Sequence, residues 1–222
     1  MEIHAVSDHG TPNRRLAAAA ALVLFGPVFA ALAGATADAT TQRKQNLTQM
    51  IAESQSILAG RIERVTDGID ERGLPYTAIT IAVSGAAKGQ VHDGSRYRFR
   101  QFGLQQPHKM PNGKEVLALS PEGFPEWSVG EQVVAFLFEP ATRTGFQTTV
   151  GLAQGKLRVR DGQVSNEFNN EGLFDGVQIE AGLLNASERT MLASKGPVDA
   201  ATLLGLISRA VRENWIVTGA MR

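Results

Sequence analysis

The apolar positions change texture along the chain. Residues 16–32 (LAAAAALVLFGPVFAAL) carry no charged side chain, residues 57–165 are largely alternating, and residues 198–211 repeat at helical spacing. Each texture predicts a different structure. Between the first two, Asn46 is followed three residues later by Gln49, the spacing of a capping box, with Leu47, Met50 and Ile51 on one stripe. A short amphipathic helix over 46–55 is expected there. ILAGRIERV at 57–65 reads as a strand, and Asp67-Gly68 and Arg72-Gly73-Leu74-Pro75 bracket a turn. YTAITIAV at 76–83 is the clearest strand, alternating Ile79, Ile81 and Val83 against Ala78, Thr80 and Ala82. In 95–102, Tyr97 and Phe99 face one way and Arg96, Arg98 and Arg100 the other.

Residues 103–125 are rich in Pro and Gly and read as a long loop, with one short strand at 115–119. QVVAFLF at 132–138 is apolar on both faces and predicts a central, buried strand. Strands are also expected at 146–150 and 156–160, and Asp161-Gly162 signals a hairpin into 163–165. Residues 166–196 read as irregular. The stretch 198–211, with Leu203, Leu204, Ile207, Ala210 and Val211 on one stripe and Asp199 at its start, predicts a helix. Short strands with helices at the ends predict a mainly β protein. The simplest architecture is a small closed or partly open OB-like β-barrel, because closure removes exposed edges.

The first apolar run has a further meaning. It follows Arg14-Arg15 and precedes Ala33-Gly34-Ala35-Thr36-Ala37-Asp38-Ala39, which holds overlapping Ala-x-Ala sites. A charged start, an apolar run and small residues are the parts of a secretory signal peptide, cleaved after Ala37 or Ala39. At about 1.5 Å per residue the run falls a little short of a ~30 Å hydrocarbon core, and Gly26-Pro27 interrupts it. The alternative is an uncleaved anchor. The expected organisation is signal peptide at 1–39, barrel at 40–165, and an irregular segment with the helix at 166–222. The chain has no Cys, which removes disulfides, thiolate nucleophiles and Cys-based zinc sites, and fits export into a bacterial periplasm or medium. Lys+Arg and Asp+Glu are both 22, a balance that argues against nucleic acid as partner.

The order of ILAGRIERV, YTAITIAVSGAAKG, FPEWSVGEQVVAFLF and VGLAQGKLRV, over residues 47–165, carries a resemblance. It resembles a group of exported bacterial proteins with an OB-type barrel, similar to the inhibitory domain of tissue inhibitors of metalloproteinases and to netrin-like modules. The shared landmarks are Gly60-Arg61-Ile62, Lys88-Gly89, a Gly-Glu turn into a hydrophobic strand, and the Gln154-Gly155-Lys156 stretch. The resemblance implies a barrel and a protein partner in the envelope or medium, a protease among the candidates. Those inhibitors block zinc through an N-terminal cysteine, and without Cys that mechanism transfers to no position here.

Candidate chemistry is sparse. His92 and His108 lie in loop-like segments, no His-Glu-x-x-His occurs, and Gly151 to Lys156 is one residue too short for a phosphate loop. No catalytic residue, cofactor or metal ligand is assigned. Two binding candidates remain. Arg96, Arg98 and Arg100 share a strand face, which Arg61 joins if the first strand lies alongside, and Arg pairs with phosphate or carboxylate. Trp127, among Glu122, Glu126 and Glu131, reads as the partly buried anchor of a solvated loop or, as a binding candidate, as a sugar platform. The reading is therefore an exported, non-enzymatic binding module. The alternative is a carbohydrate-binding protein or hydrolase using the 103–131 loop.

Overall fold

The computed structural model describes residues 44–222 apart from Pro111 and Leu119. The export signal expected at 1–39 lies outside the described residues. The first helix, α1 (Leu47–Glu53), opens as its sequence requires: Asn46 Oδ1 accepts the Gln49 N–H at 3.0 Å, and Gln49 Oε1 accepts the Asn46 N–H at 3.0 Å. Leu47, Met50 and Ile51 are buried beneath it. At its far end Lys88 Nζ donates to the carbonyls of Ile51 (2.6 Å) and Ala52 (3.3 Å), which the helix leaves unsatisfied.

The strands are β1 (Ser56–Ile69), β2 (Pro75–Lys88), β3 (Arg96–Phe102), β4 (His108–Lys109), β5 (Glu115–Val116), β6 (Gln132–Leu137), β7 (Lys156–Arg160), β8 (Gln163–Ser165) and β9 (Val198–Asp199). Seven of them form one antiparallel sheet in the order β3-β2-β1-β6-β7-β8-β9, and β4 pairs only with β5. β1 and β2 outrun the expected segments and pair along most of their length, with register shifts at Ile57/Leu58, Ala59/Gly60 and Ile62/Arg64. A Cβ at Gly60 would lie 2.2 Å from the Ala82 carbonyl oxygen, so this crossing of strands needs glycine. Asp161 and Gly162 both have positive φ, 51° and 76°, as a two-residue hairpin of the primed type demands.

Two cores lie on opposite faces of the central strands. β6 supplies Val133, Ala135 and Leu137 to one and Val134 and Phe136 to the other, so the both-faced apolar run sits where its sequence places it. The first core, with Leu58, Ile62, Ile79, Ile81, Phe99 and Trp127, lies on one side of β1–β3 and β6. The second packs Ile57, Ala59, Val134 and Phe136 under α1 and the long helix α3 (Ala200–Arg212), through Leu203, Leu206, Ile207 and Ala210. Asp199 caps α3 by accepting the Thr202 N–H at 2.7 Å.

Four expectations need correction. The sheet is not closed by continuous pairing: β3 and β9 are its ends. The segment 146–150 is no regular strand. It makes single bridges, Phe146 parallel to Arg100 and Thr149 antiparallel to Leu137: the Gln147 N–H donates to the Arg100 carbonyl on the β3 side, and the Val150 N–H donates to the Phe136 carbonyl on the β6 side. The strand expected at 115–119 is two residues long and pairs with 108–109. Residues 166–196 are not wholly irregular: they hold α2 (Ala186–Leu192), opened by a second capping box between Asn185 and Glu188. A last turn of helix, α4 (Trp215–Thr218), follows α3. Among the described residues no helix is long and apolar enough to cross a membrane.

Candidate functional site

Directly paired residues of antiparallel strands project to the same side, so the register fixes which arginines share a face. Arg61 pairs with Ala82, which pairs with Arg96. Arg64 pairs with Thr80, which pairs with Arg98. Thr66 pairs with Ala78, which pairs with Arg100. The result is one outer sheet face with Arg61 and Arg64 along β1, Arg96, Arg98 and Arg100 along β3, and Ala82, Thr80 and Ala78 between them. All five arginines are exposed. The structure thus brings Arg61 to the β3 arginines, and it adds Arg64, which sequence alternation misses. Strict alternation from Arg61 would put Glu63 and Val65 outside; the register shift between Ile62 and Arg64 turns Arg64 outward and Val65 inward against the first core.

Glu63 is the face's own acid, and Arg96 takes it, with Nε donating to Oε2 at 2.7 Å. That bond holds the Arg96 guanidinium more firmly protonated than an ordinary arginine. Among the described residues the side chains of Arg61, Arg64 and Arg98 make no hydrogen bond or ion pair, and the Arg100 guanidinium makes only a cation–π contact, 4.5 Å from the centre of the Tyr76 ring. The face ends beyond Arg100 in a cleft of about 490 Å³ lined by Ile69, Asp70, Glu71, Arg72, Tyr76 and Arg100. Here Asp70 accepts the Leu74 and Arg72 N–H groups and the Arg72 guanidinium. The Leu74 bond leads in holding its carboxyl below the usual range. Arg72 also donates to the carbonyls of Arg143 and Thr144, which ties the turn after β1 to the loop after β6.

Trp127 is elsewhere. Its side chain is 1% exposed, edge-to-face with Phe99 at 5.3 Å, and its indole N–H donates to Gln101 Oε1 at 3.0 Å. Gln105 holds its backbone from both sides, accepting its N–H at 3.0 Å and donating to its carbonyl at 2.9 Å. The expected sugar platform is corrected on this ground: a platform needs an open ring face, and this ring is enclosed in the first core. Glu131 is likewise engaged. It accepts from Lys156 Nζ at 2.5 Å and from Arg158 Nε at 3.1 Å, while Lys156 also donates to the Glu126 carbonyl and lies 5.0 Å from the centre of the Trp127 ring. Burial pushes the Lys156 ammonium below the ordinary lysine value, and the bond to Glu131 opposes that push.

The glycine stretch before Lys156 forms a 3₁₀ turn, Leu152–Gly155, whose buried Gln154 Oε1 accepts the Gln45 N–H at 3.0 Å. Its amides are not arrayed as a phosphate cradle: those of Leu152 and Gln154 donate to the carbonyls of Thr149 and Gly151, and that of Ala153 donates to the Gly123 carbonyl. His92 is exposed in a turn and His108 lies in β4. Among the described residues no three His, Cys, Asp or Glu side chains are grouped to hold a metal ion. No protein-family profile matches this chain, and neither a curated protein nor a solved structure is detectably similar to it.

Proposed function

We propose that this protein is an exported binding module, built as an OB-like barrel, that docks a protein of the bacterial envelope or medium on the outer face of β1–β3. The observation that carries the reading is the arginine face: among the described residues four of its five guanidiniums have no acceptor, and an arginine-rich surface whose one described acid is already paired is complementary to an anionic partner. The OB-like architecture draws support from the order of contacts around the first core. β3, β2, β1 and β6 are neighbours, and 146–150 bonds to β6 on one side and runs parallel to β3 on the other. In folds of this kind the face of the second and third strands is a common ligand platform. Export rests on the 16–39 segment.

The reading predicts that full-length tagged protein, crosslinked in the organism that encodes it, is recovered from the envelope or medium with a protein partner in fixed ratio. Recovery from the cytosol, or of uncomplexed chain alone, contradicts it.

A further inference from the structure

We propose that the partner segment held on this face is an extended acidic peptide, with a carboxylate at every second residue, lying along β2 between two rails of arginine. This rests on the reading of the protein as a binding module and specifies its ligand.

The rails are Arg61 and Arg64 on β1 and Arg96, Arg98 and Arg100 on β3, each separated from the other by one residue of β2. Neighbouring strands lie about 4.8 Å apart, so the rail backbones are about 9–10 Å apart. A single extended chain fits that trough, whereas a helix with its side chains is about 10–12 Å across. Along β3 the arginines repeat every ~6.6–7 Å, which is the repeat of alternate side chains in any extended peptide. Successive carboxylates on one side of such a peptide therefore meet successive guanidiniums without a register error. The floor is made of two half-exposed small side chains, Thr80 and Ala82, which let a partner's backbone come close, while Ala78, opposite Arg100, is itself buried. Over Thr80 and Ala82 there is no aromatic ring on which a base could stack, and the rings that continue the face, Tyr76 and Phe102, are engaged by the Arg100 guanidinium and by Phe146, which argues for a peptide over single-stranded nucleic acid. Past Arg100 the trough gives way to the cleft beside Tyr76, where Asp70 is already paired with Arg72.

The test is fluorescence anisotropy with the full chain and two labelled peptides of identical composition, one alternating Glu-Ser and one repeating Glu-Glu-Ser-Ser. The alternating peptide should bind at least about threefold more tightly, and both should weaken as salt is raised. The double variant Arg64→Glu/Arg98→Glu should bind the alternating peptide about tenfold more weakly, since each reversal replaces an exposed attraction with a repulsion. Arg160→Glu, on the distant β7–β8 hairpin, should leave affinity within about twofold, and thermal melts confirm that each variant folds. Equal affinity for the two peptides, no binding of either, or tighter binding of a charge-matched single-stranded DNA or sulfated polysaccharide overturns the proposal. A native partner captured equally well by wild type and Arg64→Glu/Arg98→Glu also overturns it while leaving the binding-module reading intact. Absence of any captured partner defeats that reading itself.

Discussion

At the scale of single residues, the chain places its charged groups in two different ways. On the β1–β3 face the arginines stand in solvent with their donors open. Lys156 is the opposite: its side chain is 3% exposed, and its ammonium is balanced by Glu131, the Glu126 carbonyl and the Trp127 ring. Such a group holds structure. It fastens the 103–131 loop to β7, and replacing it strands Glu131, which keeps only Arg158 as its ionic partner. Lys156→Met should therefore cost about 1–3 kcal/mol in urea unfolding, the usual penalty for leaving a partly buried charge without its partner. A second signature follows from the sign of the shift. Burial lowers the Lys156 and Lys88 values below 10.5 in the folded state. Between the folded and unfolded values the unfolded chain binds more protons, so stability rises with pH there. Lys156→Met should flatten that alkaline rise, and unchanged midpoints and slope would contradict the assignment. None of this was legible beforehand. Trp127 and its neighbouring acids read either as a loop anchor or as a surface platform, because sequence proximity does not reveal which side of a loop is turned into the core.

At the scale of elements, the local signals were strong and held where they were local. Asn46 with Gln49, Asp161-Gly162 and Asp199 specify their own local geometry within a few residues, the alternation of 76–83 specifies its own two faces, and each appears as read. What escaped depends on pairing at a distance. The 146–150 segment has a strand's composition, yet its partners are single residues of β3 and β6. α2 was missed because its capping pair, Asn185 and Glu188, sits in a stretch whose Asn, Gly and Glu content reads as loop; its Glu188 is then buried against Arg209 of α3. The register shifts of β1 are the most consequential of these features, since one of them turns Arg64 onto the arginine face. Gly60 permits the neighbouring shift, so Gly60→Ala should force the strands apart and destabilise the protein by about 1–3 kcal/mol, read from its urea midpoint. A wild-type midpoint would mean that β1 and β2 do not approach as closely as described.

At the scale of the whole molecule, a balanced composition conceals an unbalanced surface. Twenty-two basic and 22 acidic residues cancel in the sum, but five arginines and one glutamate share the outer face of β1–β3. Net charge therefore excluded less than it first implied: it speaks to the protein's average field, while recognition is decided by the local one. The helices reinforce this polarity. α1 and α3 cover the apolar continuation of the same sheet, over Ile57, Ala59, Val134 and Phe136, and leave the arginine section bare. The measurement that bears most directly on this picture is an amide chemical-shift titration of isotope-labelled protein with the alternating Glu-Ser peptide. The account predicts perturbations concentrated at residues 61–66, 76–82 and 96–102. Perturbations gathered instead in the 103–131 loop or on α1 and α3, or no perturbation at all, would contradict it.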